Sequence, residues 1–346
     1  MSRQGAPDRA GGDIDWDLVV RQMIDAGCAV ETDVALAPHT TYQVGGPARC
    51  AVRVRGIDEA VRTAEALAGV GDVPLVVVGR GSNLLVSDDG FDGLAVIVGS
   101  MNADAVSIDD ETVTASGGVP LPVVARRTVA AGLCGLEWAV GVPGSVGGGV
   151  RMNAGGHGSD MAASLVDVDV LSLRSGRRVT VGAAALDLHF RGSALADHHL
   201  VLSARFAAAR GDCAEALAEI VAWRRDNQPG GRNAGSVFVN PAPGTGSAGA
   251  IIDSLGLRGL RCGGAQVSEK HANFIVAEAG ALAADVVEVM TIVHDKVRDA
   301  TGTVLRSEVR LVGFDARTVS RFADVAHSGA DHDAARSALA AIMGEL

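Results

Sequence analysis

A serine sits in a glycine-framed segment, Asn233-Ala-Gly-Ser-Val-Phe-Val-Asn-Pro241, with two glycine-rich loops far upstream. Those loops are Val78-Gly-Arg-Gly-Ser-Asn-Leu-Leu-Val86 and Val140-Gly-Val-Pro-Gly-Ser-Val-Gly-Gly-Gly149. A neutral hydroxyl fixed in a turn can give a proton to a carbanion-like centre. Glycine loops let backbone N–H groups approach an anion closely. The combination suits a bulky phosphate-bearing cofactor facing a proton donor, and hence redox chemistry.

In the first loop the candidates are Gly79, Arg80, Gly81, Ser82 and Asn83. No third glycine follows in register and Leu84-Leu-Val86 is extended, so this is not the dinucleotide fingerprint; a tight turn between strands is the alternative. In the second loop they are Gly141, Pro143, Gly144, Ser145, Gly147 and Gly148, followed by Asn153, Ala154 and Gly155. So dense a glycine run points to backbone lying flat against a ligand. Around Ser236, Val237 and Phe238 break the Gly-x-Ser-x-Gly elbow and no histidine base can be assigned, which disfavours a serine nucleophile. A capping or turn serine is the other reading. Gln266 and Asn273, in the polar run Gly263 to Phe274, could hydrogen-bond a sugar or a uracil edge. Glu308 shares one face of an alternating segment with Arg306 and Arg310, which also suits a surface ion pair. Arg191 alone is unremarkable.

The elements that must position these groups follow from periodicity. Helices are expected over 15–26, 57–68, 121–131, 213–226 and 281–300. Strands are expected over 51–55, 74–78, 94–98, 106–108, 113–115, 165–173 and 200–206. Segments 268–277 and 304–312 read as the two strands of a last α/β unit, and 317–346 as one more helical segment. Residues 1–13 read as a flexible leader. Strand, helix, strand and glycine loop is the grammar of a nucleotide site, while the middle of the chain is α+β.

The chain has 346 residues, 48% of them hydrophobic, enough for two or three domains with real cores. Its net charge of −11 and 3% aromatic content argue against a nucleic-acid partner, although a local arginine cluster could still hold an anion. Cys28, Cys50, Cys134, Cys213 and Cys262 are odd in number and scattered, which fits neither a disulfide framework nor a zinc site, so no metal is expected. No signal peptide or membrane span is visible, and a cytoplasmic location is expected.

Taken together, the motifs resemble the UDP-N-acetylenolpyruvylglucosamine reductase family over about residues 36–314. Thr40-Thr-Tyr-Gln-Val-Gly-Gly-Pro-Ala48 is similar to the family's entry motif, which brings Tyr42 in as a cofactor contact. The two glycine loops with Met152-Asn-Ala-Gly155, then Ala234-Gly-Ser-Val-Phe238, Asn240-Pro241, Gly263 to Phe274 and Glu308 to Gly313 follow in the family's order. The resemblance implies an α+β, two-subdomain FAD-binding fold of the vanillyl-alcohol-oxidase type (14–105 and 106–210). It implies an α/β substrate-binding domain (211–316) and leaves a C-terminal helical extension (317–346). It implies non-covalent FAD, NADPH as reductant, and reduction of UDP-N-acetylglucosamine enolpyruvate to UDP-N-acetylmuramate by a monomeric enzyme of peptidoglycan precursor synthesis. Ser236 would be the proton donor, Arg191 and Glu308 the pair at the enolpyruvyl carboxylate, and Asn240, Gln266 and Asn273 substrate contacts. Phe190 stands where tyrosine is common and Val239 where a basic residue is common. Only 45 positions separate Arg191 from Ser236, as in the family's compact branch. A flavin oxidase of the same fold, with His157 as a covalent flavin anchor, and a non-catalytic flavin- or nucleotide-sugar-binding protein are the rival readings.

Overall fold

The computed structural model describes residues 14–241, 244–323 and 330–345. The leader expected over 1–13 lies outside them. The first lobe holds α1 (Trp16–Asp25), β1 (Val30–Ala35), β2 (Pro47–Arg53), α2 (Ile57–Ala68), β3 (Leu75–Val78), β4 (Leu84–Val86) and β5 (Phe91–Ile97). Its sheet runs β1-β2-β5-β3, with β2, β5 and β3 parallel and β1 antiparallel at the edge. Helix α2 begins at Gly56, carries Asp58 and Glu59 in its first turn, and buries Ala60, Thr63, Ala64 and Leu67 on one stripe. The uninterrupted apolar run of β3 suits a parallel strand covered on both faces.

The second lobe is a five-stranded antiparallel sheet. Its strands are β6 (Val106–Asp109), β7 (Thr112–Ser116), β8 (Leu165–Ser172), β9 (Arg178–Gly182) and β10 (His199–Ala207), ordered β9-β8-β10-β7-β6. Helices α3 (Leu121–Ala130) and α4 (Val146–Arg151) pack against it around a core that includes Trp138, Val146, Val168 and Phe206. Leu171, Leu173, Leu200 and Leu202 of this sheet join the first lobe's core, so the two lobes share apolar surface.

Helix α5 (Ala214–Asn227) buries no residue completely and leads to the third lobe. There α6 (Ala248–Ser254), β11 (Ala265–Val267), β12 (Ile275–Ala277) and α7 (Ala283–Thr301) enclose another core. In α7 the buried Val286, Val289, Met290, Val293 and Val297 follow helical spacing, and Gly302 ends the helix at φ 74°.

Strand β13 (Arg310–Val312) departs from the sequence expectation. It does not close a unit with residues 268–277; it pairs in parallel with β4, Arg310 opposite Leu84 and Val312 opposite Val86. Upstream, Val239 N–H donates to the Arg306 carbonyl and Glu308 N–H to the Val237 carbonyl, so the rest of that apolar segment pairs with the Ser236 loop. A second tie joins the first and third lobes: the Asp88 carboxylate accepts from Ala283 N–H at 2.8 Å and Ala284 N–H at 2.9 Å. That caps the first turn of α7 and complements its dipole.

Two further expectations change. The C-terminal segment is two helices, α8 (Ala316–Phe322) and α9 (Ala330–Ile342). Cys134 and Cys213 form a disulfide with Cα atoms 5.6 Å apart, correcting the expectation of no disulfide. A two-residue ladder pairing Cys134 with Ala209 brings them together, too short to leave any periodicity in the sequence. Among the described residues no helix is long and apolar enough to cross a membrane.

Gly313, just past β13, sits at φ 76°, and a methyl group there would be driven into the Gly90 carbonyl. Gly313→Ala is expected to destabilise the protein by about 1–3 kcal/mol. A fall in the urea midpoint at unchanged m-value checks this.

Candidate active site

The two glycine loops face one another. Arg80 Nε donates to the Pro143 carbonyl at 3.3 Å, and a side chain at Gly79 would come within 2.6 Å of Ser145 Oγ. Gly81 adopts φ 62° with its would-be side chain against the His39 carbonyl and Thr40, so only glycine fits there. Gly144 lies opposite Ser82. The glycine run does not all serve as a flat cradle: Ser145 caps α4, and its hydroxyl accepts from Gly148 N–H at 3.4 Å. Gly147 and Gly149 lie inside that helix, close against the Gly117 carbonyl and against Met161 and Leu121 respectively, which is a packing role.

Asn83 carries the first loop into the rest of the site. Its side-chain NH₂ donates to the Glu308 carbonyl at 2.9 Å, and its own carbonyl accepts from Arg310 N–H at 2.9 Å. Glu308 is thereby placed beside Arg191, whose Nε lies 2.9 Å from Glu308 Oε2. That contact is an ion pair whose N–H is not aligned for a hydrogen bond. Burial raises the Glu308 carboxyl above the usual carboxylate range, and the Arg191 guanidinium opposes but does not cancel this.

Arg191 sits at φ 61° in a turn closed by mutual His189–Gly192 backbone bonds, and its Nη1 donates to the Gly155 carbonyl at 3.4 Å. Buried Asn153 braces the turn from behind, donating to the His189 carbonyl and to Asp160 while accepting from Ala162 N–H. Ser236 follows Gly235, whose φ of 79° is stabilised by Asn233 Oδ1 accepting its N–H.

These elements enclose a cleft of about 450 Å³. Gly79, Arg80, Gly81, Ser82 and Asn83 line it from the first loop, and Gly141, Pro143, Gly144, Ser145 and Gly148 from the second. Ala154, Gly155, Arg191, Ser236 and Glu308 complete the sequence-expected part of the lining. Six of the expected residues lie off it, Gly147 inside α4 among them. Asn153 lines a smaller neighbouring hollow with Phe190 and Arg191. Tyr42 is fully buried in the third lobe's core, its phenol pushed up by burial and its hydroxyl facing Ala234 without a well-formed hydrogen bond. Asn240 Oδ1 accepts from Ala248 N–H at the start of α6, and Gln266 bonds Arg261 and the Gly259 carbonyl. Asn273 is buried, with both ends of its amide on the Phe238 backbone, so it holds the Ser236 strand from below. Val239 is buried as well and presents nothing to the cleft.

The sequence reading missed Arg151, Arg224 and Arg310 as cleft residues. Arg151 and Arg310 share the Asp197 carboxylate, and Arg151 keeps a buried Nε without a partner. Burial is the main cause lowering Arg151, to about 10. The available signal was Arg310 two positions from Glu308 on an alternating segment, which was equally compatible with a surface pair. With Arg80 and Arg191, five arginines line the cleft against one carboxylate, Glu308, among the described residues. An anionic ligand is thus favoured locally in a chain of net charge −11.

Comparison with known proteins matches residues 227–312 to the UDP-N-acetylenolpyruvoylglucosamine reductase C-terminal domain and residues 48–182 to an FAD binding domain. The UDP-N-acetylenolpyruvoylglucosamine reductase of Parasynechococcus marenigrum is 40% identical over 300 residues, covering 84% of this chain and 99% of its own. That of Rubrobacter xylanophilus is 39% identical over 290 residues, covering 82% and 96%. The crystal structure of the Thermus caldophilus UDP-N-acetylenolpyruvylglucosamine reductase superposes with a TM-score of 0.69 at 33% identity, covering 82% of this chain and 99% of that one. The α+β FAD-binding architecture expected from the motifs is the one present, and the chain belongs to the UDP-N-acetylenolpyruvoylglucosamine reductase family.

Proposed function

We propose that this chain reduces UDP-N-acetylglucosamine enolpyruvate to UDP-N-acetylmuramate, and that Ser236, Arg191 and Glu308 are its catalytic residues. The observation that carries the residue assignment is their convergence on one arginine-rich, glycine-walled cleft from three distant parts of the chain. The cleft suits FAD: two facing loops leave backbone at positions where side chains would fill the space, and Arg80 and Arg151 supply charge for phosphates. FAD, recharged by NADPH, supplies the hydride for the vinyl group.

The chain's own residues handle charge and proton. Arg191 holds the enolpyruvyl carboxylate as negative charge spreads into it, an interaction worth several kcal/mol when preorganised. Glu308 would repel that carboxylate if ionised; the upward push on its carboxyl favours a proton that it can donate as a hydrogen bond. Ser236 Oγ–H then protonates the substrate carbon next to the carboxylate, giving the lactyl ether. Phe190 is half exposed beside Arg191, its ring 5.3 Å from the guanidinium, and stiffens the turn where tyrosine is common. His157 packs edge-on against Trp223 with centroids 5.0 Å apart and off the cleft lining, which disfavours the covalent-flavin oxidase reading. We further propose a cytoplasmic location, since substrate and reductant are both free nucleotides, and a monomeric state.

Ser236→Ala is expected to leave bleaching of the flavin by NADPH intact and slow its return with the enolpyruvyl sugar by about 10²- to 10⁴-fold. Anaerobic stopped-flow absorbance reads both steps, and equal losses in the two would remove Ser236 as the proton donor. Wild-type flavin that bleaches but ignores the sugar would remove the proposed substrate.

Glu308 also makes stability depend on pH. A carboxyl raised in the folded state binds its proton more tightly there than when unfolded, so its contribution is favourable at low pH. That contribution is lost as pH rises through the folded value. Glu308→Gln, which cannot ionise, is therefore expected to be more stable than wild type at pH 7. Chemical denaturation of the flavin-free protein across pH 3–8 should show the gap closing toward acid.

A further inference from the structure

Helix α9 lies outside both domain matches, which end at residue 312, yet it reaches the segment that carries Arg191. That segment, residues 187–198 leading into β10 at His199, is irregular, with Asp187 and Arg191 at φ 44° and 61°. Left-handed backbone at non-glycine residues persists only where the surroundings enforce it. At one end, His332 Nδ1 lies 2.8 Å from Asp187 Oδ2, and its ring meets that of His189 edge-on at 4.9 Å. At the other end, Glu345 binds His198 Nε2 and His199 Nε2, each at 3.0 Å. His199 Nδ1 accepts the Ala196 N–H at 2.9 Å, so its Nε2 carries the proton and donates to Glu345. Leu339 and Met343 bury themselves in the second lobe's core, and Ser175 Oγ donates to the Met343 carbonyl at 2.6 Å. Between the two anchor points lie Arg191 and Asp197, the carboxylate that Arg151 and Arg310 share.

We propose that helix α9 and the turn after it form a clasp that positions the Arg191 segment for the substrate step, with His332 on the helix gripping its start and Glu345, past the helix end, gripping its end. His332 and Glu345 are positioning residues, since neither lines the cleft. The residues after the second glycine loop approach Arg191 through Gly155, while the first loop meets the segment only indirectly, through Asn83, Arg310 and Asp197. Loosening the clasp acts first on Arg191 and so on the enolpyruvyl half of the reaction, while Arg151, which meets this segment at Asp197, keeps its place on α4 so that the loaded flavin is still reduced. The inference rests on the proposed role of Arg191.

The test is anaerobic stopped-flow on the full-length flavin-loaded enzyme, with Arg191→Ala run in parallel. His332→Ala and Glu345→Ala are expected to leave flavin bleaching by NADPH within about twofold and to slow reoxidation by the enolpyruvyl sugar by about tenfold, the scale of a sub-ångström misplacement. His332→Asn keeps a donor toward Asp187 and should recover most of the rate; Glu345→Gln keeps one acceptor and should fall between. Wild-type reoxidation in both alanine variants, with Arg191→Ala slow, overturns the clasp and leaves the Arg191 assignment standing. Equal loss in both half-reactions, or loss that His332→Asn does not recover, also overturns it, because helix α9 would then be only structural. Normal reoxidation in Arg191→Ala removes the role of Arg191 and the clasp with it.

Discussion

The short parallel pairing of β4 with β13, extended by Asn83, is what the rest of the site depends on. It joins positions 225 residues apart, since the Asn83 amide donates to the Glu308 carbonyl and the Asn83 carbonyl accepts from Arg310. Each bond contributes only about 1 kcal/mol net, but leaving the buried partner groups unpaired would cost about 1–3 kcal/mol apiece. Glu308 N–H in turn holds the Val237 carbonyl, and Val237 N–H donates to the Asn273 carbonyl. The Ser236 segment, Glu308 and the first glycine loop are thus spaced largely by hydrogen bonds to backbone groups, which vary less than contacts between side chains. Asp88 at the start of α7 repeats the tie between the same two lobes.

Electrostatics in the cleft runs against that of the whole molecule. Five arginines line a space whose one carboxylate is pushed toward its protonated form by burial. Arg151, even lowered to about 10, remains charged at neutral pH. The shared Asp197 neutralises only part of the Arg151–Arg310 pair, so positive potential remains where phosphates and a carboxylate would bind, and low-dielectric walls concentrate it. The chain's net charge of −11 therefore does not set the sign of the potential in this space.

Much of this arrangement was legible because its parts are local. Helix α2 runs over the residues that its apolar spacing and first-turn acids mark, and the apolar run before Gly79 is a buried parallel strand. The glycine loops and Ser236 stood out because ordinary turns do not need such residues in such density. What stayed hidden is non-local. Nothing in Arg310-Leu-Val312 says that its partner is β4 and not the nearer residues 268–277. Tyr42 belongs to a motif beside the flavin loop, but the chain turns it into the third lobe's core, where a lone tyrosine fills volume. Asn273 reads as a ligand contact because it belongs to a dense polar run just before an apolar strand, yet both its ends serve the Phe238 backbone. Arg151 gave no signal: its role comes from the position of α4 and from an aspartate 46 residues away.

Several departures from simple stability rules meet at the cleft, although left-handed backbone also occurs elsewhere, as at Asp33 and Asn102. Glu308 is a buried carboxyl, Arg191 and Asp187 hold left-handed backbone, and Arg151 keeps an unpartnered buried nitrogen. Each is unfavourable alone, by about 1–3 kcal/mol, and none is explained by packing. All four are tied together through Asp197 or the Arg191–Glu308 pair, or lie on the segment that α9 covers. A segment under such strain would relax if only its neighbours in sequence held it. In this chain helix α9, through His332, and Glu345 just past it hold the two ends of that segment, so these C-terminal residues belong with the cleft they support.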